Sequence, residues 1–142
     1  LASDFVTSSS TAVDVTGMTF TPAANTDYEV EWVLLVSTAT ITVGPRPGAS
    51  WGTGYDYGAI DMYTTSSAVA ETQSHVSMTT VAGTALAAVG GLPVANRVYG
   101  SGARAIFRSG ATPTAFKLQL ASETAATNVT AKAGSFLKYR TI

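Results

Sequence analysis

The stretch DYEVEWVLLVST, residues 27–38, limits the fold more than any other part of the chain. Tyr28, Val30, Trp32, Leu34 and Val36 recur at every second position, and Asp27, Glu29 and Glu31 fill the places between. A strand turns successive side chains to opposite faces, so this alternation gives one apolar face and one wet face; a helix would scatter both sets around its circumference. Val33 and Leu35 make the second half apolar on both faces. That half must run beneath other structure, and in a small sandwich neighbouring subunits are expected to complete its cover.

Shorter units repeat the pattern. In TAVDVTGMTFTP, Val13 and Val15 alternate with Asp14 and Thr16, and the apolar positions resume at Met18 and Phe20 after Gly17, which predicts two short strands about a kink. PAANT (22–26) is a turn cluster. ATITVGPRPGASW predicts a strand around Ile41 and Val43 that Pro45, Pro47 and Gly48 break, because proline cannot donate to an interior ladder. GYDYGAIDMYTT predicts another, with Tyr55 and Tyr57 in phase, a bulge at Gly58, and Ile60 and Met62 in phase beyond it. Between Ser66 and Asn96, Val76 and Met78 mark a strand, and TALAAVGG (84–91) reads as a loop or one helical turn stopped by Gly90 and Gly91.

NRVYGSGARAIFRSG predicts a long strand kinked near Gly100 and Gly102; TAFKLQLASE and NVTAKAGSFLKYRTI supply the last strands. Short strands with turn signals every ~8–12 residues predict an all-β fold, an antiparallel, jelly-roll-like β-sandwich. The 142 residues form a single domain, 1–142, with no room for a second core.

Charged residues make up only 12% of the chain, about half of the ~25% of an ordinary soluble domain. Ser, Thr, Ala and Gly cover the surface instead and repel neighbours weakly, so a homo-oligomer is expected, burying more than ~2,000 Å². The net charge of -1 and the scattered Lys and Arg argue against nucleic-acid binding. Zero Cys rules out disulfides and thiolate metal sites. No apolar run reaches the ~20 residues of a spanning helix, so no membrane insertion is expected. LASDFVTSSS lacks the pattern of a signal peptide, and a start at Leu1 rather than Met suggests a chain processed or cut from something longer.

Catalytic patterns are weak. His75 is the single histidine, and no G-x-S-x-G elbow accompanies it, so it reads as a surface residue. Glu29 and Glu31 share a strand face about 7 Å apart, against the ~5–5.5 Å of a retaining glycosidase, and read as a solvated face or as partners of Arg or Lys on a neighbouring strand. Asp56 and Asp61 fall on opposite faces unless a bulge intervenes. The acids match no calcium loop, and GTGYDYG and GSGAR lack the Lys of a phosphate cradle and read as turns. No catalytic residue, metal or cofactor is expected.

The stretch SWGTGYDYGAIDMY has binding character. Trp51, Tyr55 and Tyr57 beside Asp56 combine flat rings with a hydrogen-bonding group, as saccharide sites do; the same rings also suit a core or a subunit interface. In the closing SFLKYRTI, Leu137 and Tyr139 should face the core, and Lys138 and Arg140 should point towards acids such as Glu29 and Glu31.

Two segments carry a family resemblance. DVTGMTFTPAANTDYEVEWVLLVST (Asp14 to Thr38) and KLQLASETAATNVTAKAGSFLKYRTI (Lys117 to Ile142) resemble small virion proteins of tailed bacteriophages, tail-fibre and other structural proteins, with Met18 in place of the usual Leu and Ala131 in place of the usual Ile. The resemblance covers the first quarter and last fifth of the chain, and the middle poorly. It implies a non-enzymatic β-sandwich in the virion, a tail-fibre or receptor-binding domain, assembled as a homo-oligomer, a trimer preferred, with other virion proteins and meeting a host-surface glycan. Capsid decoration and a stand-alone carbohydrate-binding module are the alternatives, with a glycan hydrolase a more distant third.

Overall fold

The computed structural model describes residues 1–65, 73–79, 83–86 and 91–142. Among them are eleven strands and no helix. In chain order these are β1 (Phe5–Thr7), β2 (Val13–Phe20), β3 (Asp27–Thr38), β4 (Pro45–Trp51), β5 (Tyr55–Thr65), β6 (Gln73–Thr79), β7 (Gly83–Leu86), β8 (Tyr99–Ser109), β9 (Phe116–Ser122), β10 (Val129–Ala131) and β11 (Phe136–Thr141).

All pairings are antiparallel and fall into two sheets. The larger runs β1-β10-β3-β8-β5-β6, with β11 also on β3; the smaller runs β2-β9-β4-β7. Setting aside the β5–β6 hairpin and taking β10 and β11 as one broken strand leaves β1-β10-β3-β8 facing β2-β9-β4-β7. That interleaved order is a jelly roll. The hairpin is an insertion between β4 and β7 that widens the larger sheet beyond β8.

The alternation in β3 sets its facing. Tyr28, Val30, Trp32, Leu34 and Val36 are buried, whereas Glu31 is exposed and Asp27 and Glu29 are half-buried. Phe107 of β8 and Phe116 of β9 stack across the gap between sheets, 5.6 Å between centroids, and Trp32 and Trp51 pack on Phe116 at 5.8 and 6.2 Å. Such ring pairs add roughly 0.5–1.5 kcal/mol beyond area burial. At the sandwich edge Tyr139 of β11 stacks nearly parallel on Phe20 of β2, 3.9 Å apart, although Tyr139 itself stays 54% exposed. Tyr139 thus faces the core side while serving as its lid.

The two-faced half of β3 finds cover within the chain. Phe136 lies opposite Val33, the hydroxyl of Ser135 accepts the Leu35 N–H, and the Leu35 carbonyl accepts the Lys132 N–H. The N-terminal residues pin this corner: the Leu1 amine donates to the Ser135 carbonyl, and Asp4 takes the Lys132 ammonium and the Ala133 N–H, each at 2.8 Å. The corner covers part of the surface that the sequence assigns to a neighbouring subunit, and Val33 and Leu35 remain half-buried.

Several local expectations change. β2 is one strand, and the Gly17 kink is a register slip between Asp14 and Thr19, with Gly17 at φ +82°. Ile41 and Val43 lie outside any strand, and the prolines lie inside β4. Among the described residues β7 pairs with Gly48–Trp51, and Pro45 and Pro47 pair with β9, where a missing N–H can face away from the ladder. The β8 register against β3 runs unbroken from Tyr99 to Arg108, without a kink at Gly100 or Gly102. Residues 84–86 belong to β7, and 87–90 of the expected loop or helical turn lie outside the described residues.

Candidate functional site

The outer face of the larger sheet gathers the chain's few charges. β11 contributes Lys138 and Arg140, β3 Asp27, Glu29 and Glu31, β8 Arg104 and Arg108, and β5 Asp56 and Asp61. Five of the nine acids and four of the eight bases therefore share one sheet face. Registers place opposite signs side by side: Arg140 opposite Glu29, and Lys138, Glu31, Arg104 and Asp61 in one row across four strands. Opposite charges directly across a ladder are the favourable arrangement.

Glu29 is the centre of this face. Arg140 Nε donates to it at 2.5 Å, and the Arg104 guanidinium pairs with its other oxygen. The two cations, Arg140 first, hold the Glu29 carboxyl below its ordinary pKa against a smaller opposing effect of desolvation. Lys138 behaves differently. It stands opposite Glu31 and places its ammonium over the Phe136 ring, 4.8 Å from the centroid.

At the start of β5 the chain does something the even spacing conceals. Tyr55 pairs with Ser109 and Tyr57 with Arg108, so the ladder gains a residue at Asp56. The bulge lies at Asp56 rather than Gly58, and it turns Tyr55 inward and Tyr57 outward. Gly54, at φ +84°, makes the preceding tight turn, and its carbonyl accepts the Gly110 N–H at 2.7 Å.

The proposed saccharide cluster is divided by this bulge. Trp51 and Tyr55 are core residues, 4% and 6% exposed. Trp51 stacks on Phe116, and Tyr55 meets Phe107 edge-on while its hydroxyl donates to the Thr114 carbonyl at 2.7 Å. Burial raises the Tyr55 phenol well above its ordinary pKa. Asp56 and Tyr57 remain outside. The Tyr57 hydroxyl and Arg108 both donate to Asp27 at 2.7 Å, and Arg108 Nε lies 3.5 Å from Asp56. The Asp27 hydrogen bond, ahead of the other causes, raises the Tyr57 phenol pKa. Trp51 and Tyr55 thus cannot stack on a ligand, and Asp56 and Tyr57 form a rim.

A second aromatic takes their place. Tyr63, 41% exposed, extends from β5 across β8 over Gly102, where an added Cβ would lie 2.6 Å from the ring Cζ and against the hydroxyl. Next to it opens a hollow of about 420 Å³ lined by Glu31, Asp61, Tyr63 and Arg104, and a similar one of about 400 Å³ lies along β11 between Glu31, Lys138 and Arg140. Arg104, Arg108 and Tyr63 escape a reading by single motifs, yet Gly100, Gly102, Arg104 and Arg108 fall at even steps, a wet face legible in the pattern. His75 pairs with Tyr63 on β6; its side chain lies outside the described residues.

Neither a family model nor a curated protein matches the sequence. Among solved structures, a chain of infectious bursal disease virus, Gt strain, aligns with 98% of this chain at 13% identity and a TM-score of 0.24. This chain spans 35% of that one. The likeness carries no argument about function.

Proposed function

We propose that the protein is a non-enzymatic structural component of a bacteriophage virion, a tail-fibre or receptor-binding domain whose recognition surface is the outer face of the larger sheet. The carrying observation is that face: open hollows set among charges of both signs, on a jelly roll. Jelly rolls occur in viral coat and lectin domains, a fold-level analogy that favours a structural or binding role. The carboxylate at its centre does not suit the acid of a glycosidase, which needs a raised pKa to hold its proton near neutrality, since Glu29 is shifted the opposite way.

The proposal includes assembly into a homo-oligomer, a trimer preferred. Its support is the sparse charge on the remaining surface together with Val33 and Leu35, which the chain's own corner leaves half-buried. Immunogold labelling of virions with antibody to the purified chain tests the role. Label on tail fibres is the expected result; label on the head would make the protein a capsid decoration, and unlabelled virions would overturn the reading. Light scattering should return a multiple of 14.5 kDa, and a monodisperse monomer at micromolar concentration would remove the trimer.

A further inference from the structure

We infer that the hollow beside Tyr63 is a binding site for a neutral oligosaccharide, with Tyr63 as the stacking platform and Glu31, Asp61 and Arg104 as its hydrogen-bonding groups. The inference deepens the recognition reading above and rests on it. Three features of the face select this ligand class.

The first is the ring. Tyr63 crosses β8 over Gly102, the position where any side chain would collide with it, and stays 41% exposed. A tyrosine supported this way presents an apolar surface with a polar tip, the combination that the C–H face and hydroxyls of a sugar require. Gly100, two residues earlier on the same strand face, has open space where a Cβ would stand. On that side of the ring, away from the hollow, no side chain crowds β8, and on the Arg104 side the ring borders the hollow directly.

The second is charge balance. Lys138, Glu31, Arg104 and Asp61 alternate in sign along one row of the ladder. An anionic or cationic ligand would gain from one sign and be repelled by the next. A neutral polyol gains from both, because each hydroxyl donates to a carboxylate and accepts from a guanidinium.

The third is extent. Four strands at ~4.8 Å spacing spread the row over about 14 Å, longer than one sugar ring. The hollow of about 420 Å³ lies within the ordinary range of small-ligand sites, ~300–1,000 Å³. Its openness along the row suits a chain of sugars rather than a single engulfed one.

The test is a printed array of neutral and sialylated oligosaccharides probed with the full chain, followed by titration of the strongest-binding neutral glycan. Neutral oligosaccharides should bind. Tyr63→Ala should weaken binding about tenfold, the scale of one lost aromatic contact, while Tyr63→Phe retains most of it. Gly102→Ala should weaken binding by displacing the ring, and Asp61→Asn by altering the hydrogen bonding. Lys117→Ala, on the other sheet, should leave binding unchanged. Thermal unfolding of each variant separates lost binding from lost fold, and Tyr63→Phe keeps the test informative if Gly102→Ala unfolds. No binding on the array, binding confined to charged glycans, or a Tyr63→Ala titration equal to that of the parent would overturn the inference. Virion labelling reads none of these outcomes, so failure here remains distinct from failure of the virion role.

Discussion

β3 and β5 flank β8 in the same sheet, both long and both with tyrosine directly beside an acid, yet they expose their side chains by different rules. β3 pairs with β8 without interruption from Asp27 to Val36, so every even residue from Tyr28 to Val36 enters the core. β5 gains a residue at Asp56, so Tyr55 is buried and Tyr57 is half exposed although two positions separate them. Facing belongs to the register with the partner strand and not to the strand alone; one extra residue carries everything before it to the other side. On β5 the slip takes Tyr55 away from the outer face, and beyond it Tyr63 stands as the exposed ring beside the hollow.

The largest effect that could break this comparison lies on β3. Trp32 is 1% exposed and packs on Phe116 of the opposite sheet. Trp32→Ala should cost roughly 3–5 kcal/mol in urea unfolding, from lost transfer energy and the cavity left behind. Tyr57→Ala, at the exposed rim of β5, should change stability by less than about 1 kcal/mol. Equal losses in the two variants would contradict the inward and outward placement of the two strands.

A finer comparison stays within β5. Tyr55→Phe removes the hydroxyl that donates to the Thr114 carbonyl inside the fold and should cost about 1 kcal/mol. Tyr57→Phe removes a solvent-exposed bond to Asp27 and should cost no more than about 0.5 kcal/mol. Chemical denaturation of both single variants resolves the order. A reversed order would place the bulge elsewhere than Asp56.

What the sequence disclosed follows the same division. Period-two alternation made β3 and the face of β11 legible, because an uninterrupted register preserves parity; the antiparallel, jelly-roll-like sandwich follows from several such strands. Parity cannot report a bulge, so Trp51, Tyr55, Asp56 and Tyr57 read as one cluster although two of them lie in the core. The prolines of β4 misled for a related reason. Their penalty depends on whether the ladder needs the donor that proline lacks, and both are accommodated in the pairing with β9. Glu29 and Arg140 share a ladder position, whereas Lys138 prefers the Phe136 ring to the acid opposite, a choice set by side-chain packing beyond the reach of spacing.

The smallest effect concerns acid, and it bears on β3 alone. Arg140 and Arg104 lower the pKa of Glu29 in the folded protein below its ordinary 4.5, so the folded state releases this proton more readily than the unfolded chain does. The stability this contributes is fully present above about pH 4.5 and is lost as pH falls through the lower folded value. Glu29→Gln has no carboxyl to titrate there. Urea midpoints of the parent and of Glu29→Gln should therefore differ most near neutral pH and converge as the acid limb is descended, with a smaller gap in high salt because the pairs lie at the surface. Asp4 and Asp14 also have lowered pKa values, but both remain in the variant and cancel in the difference. Parallel curves down to pH 3 would mean that Arg104 and Arg140 do not hold Glu29 in solution, and the outer face of β3 would then be an array of independent charges instead of a connected one.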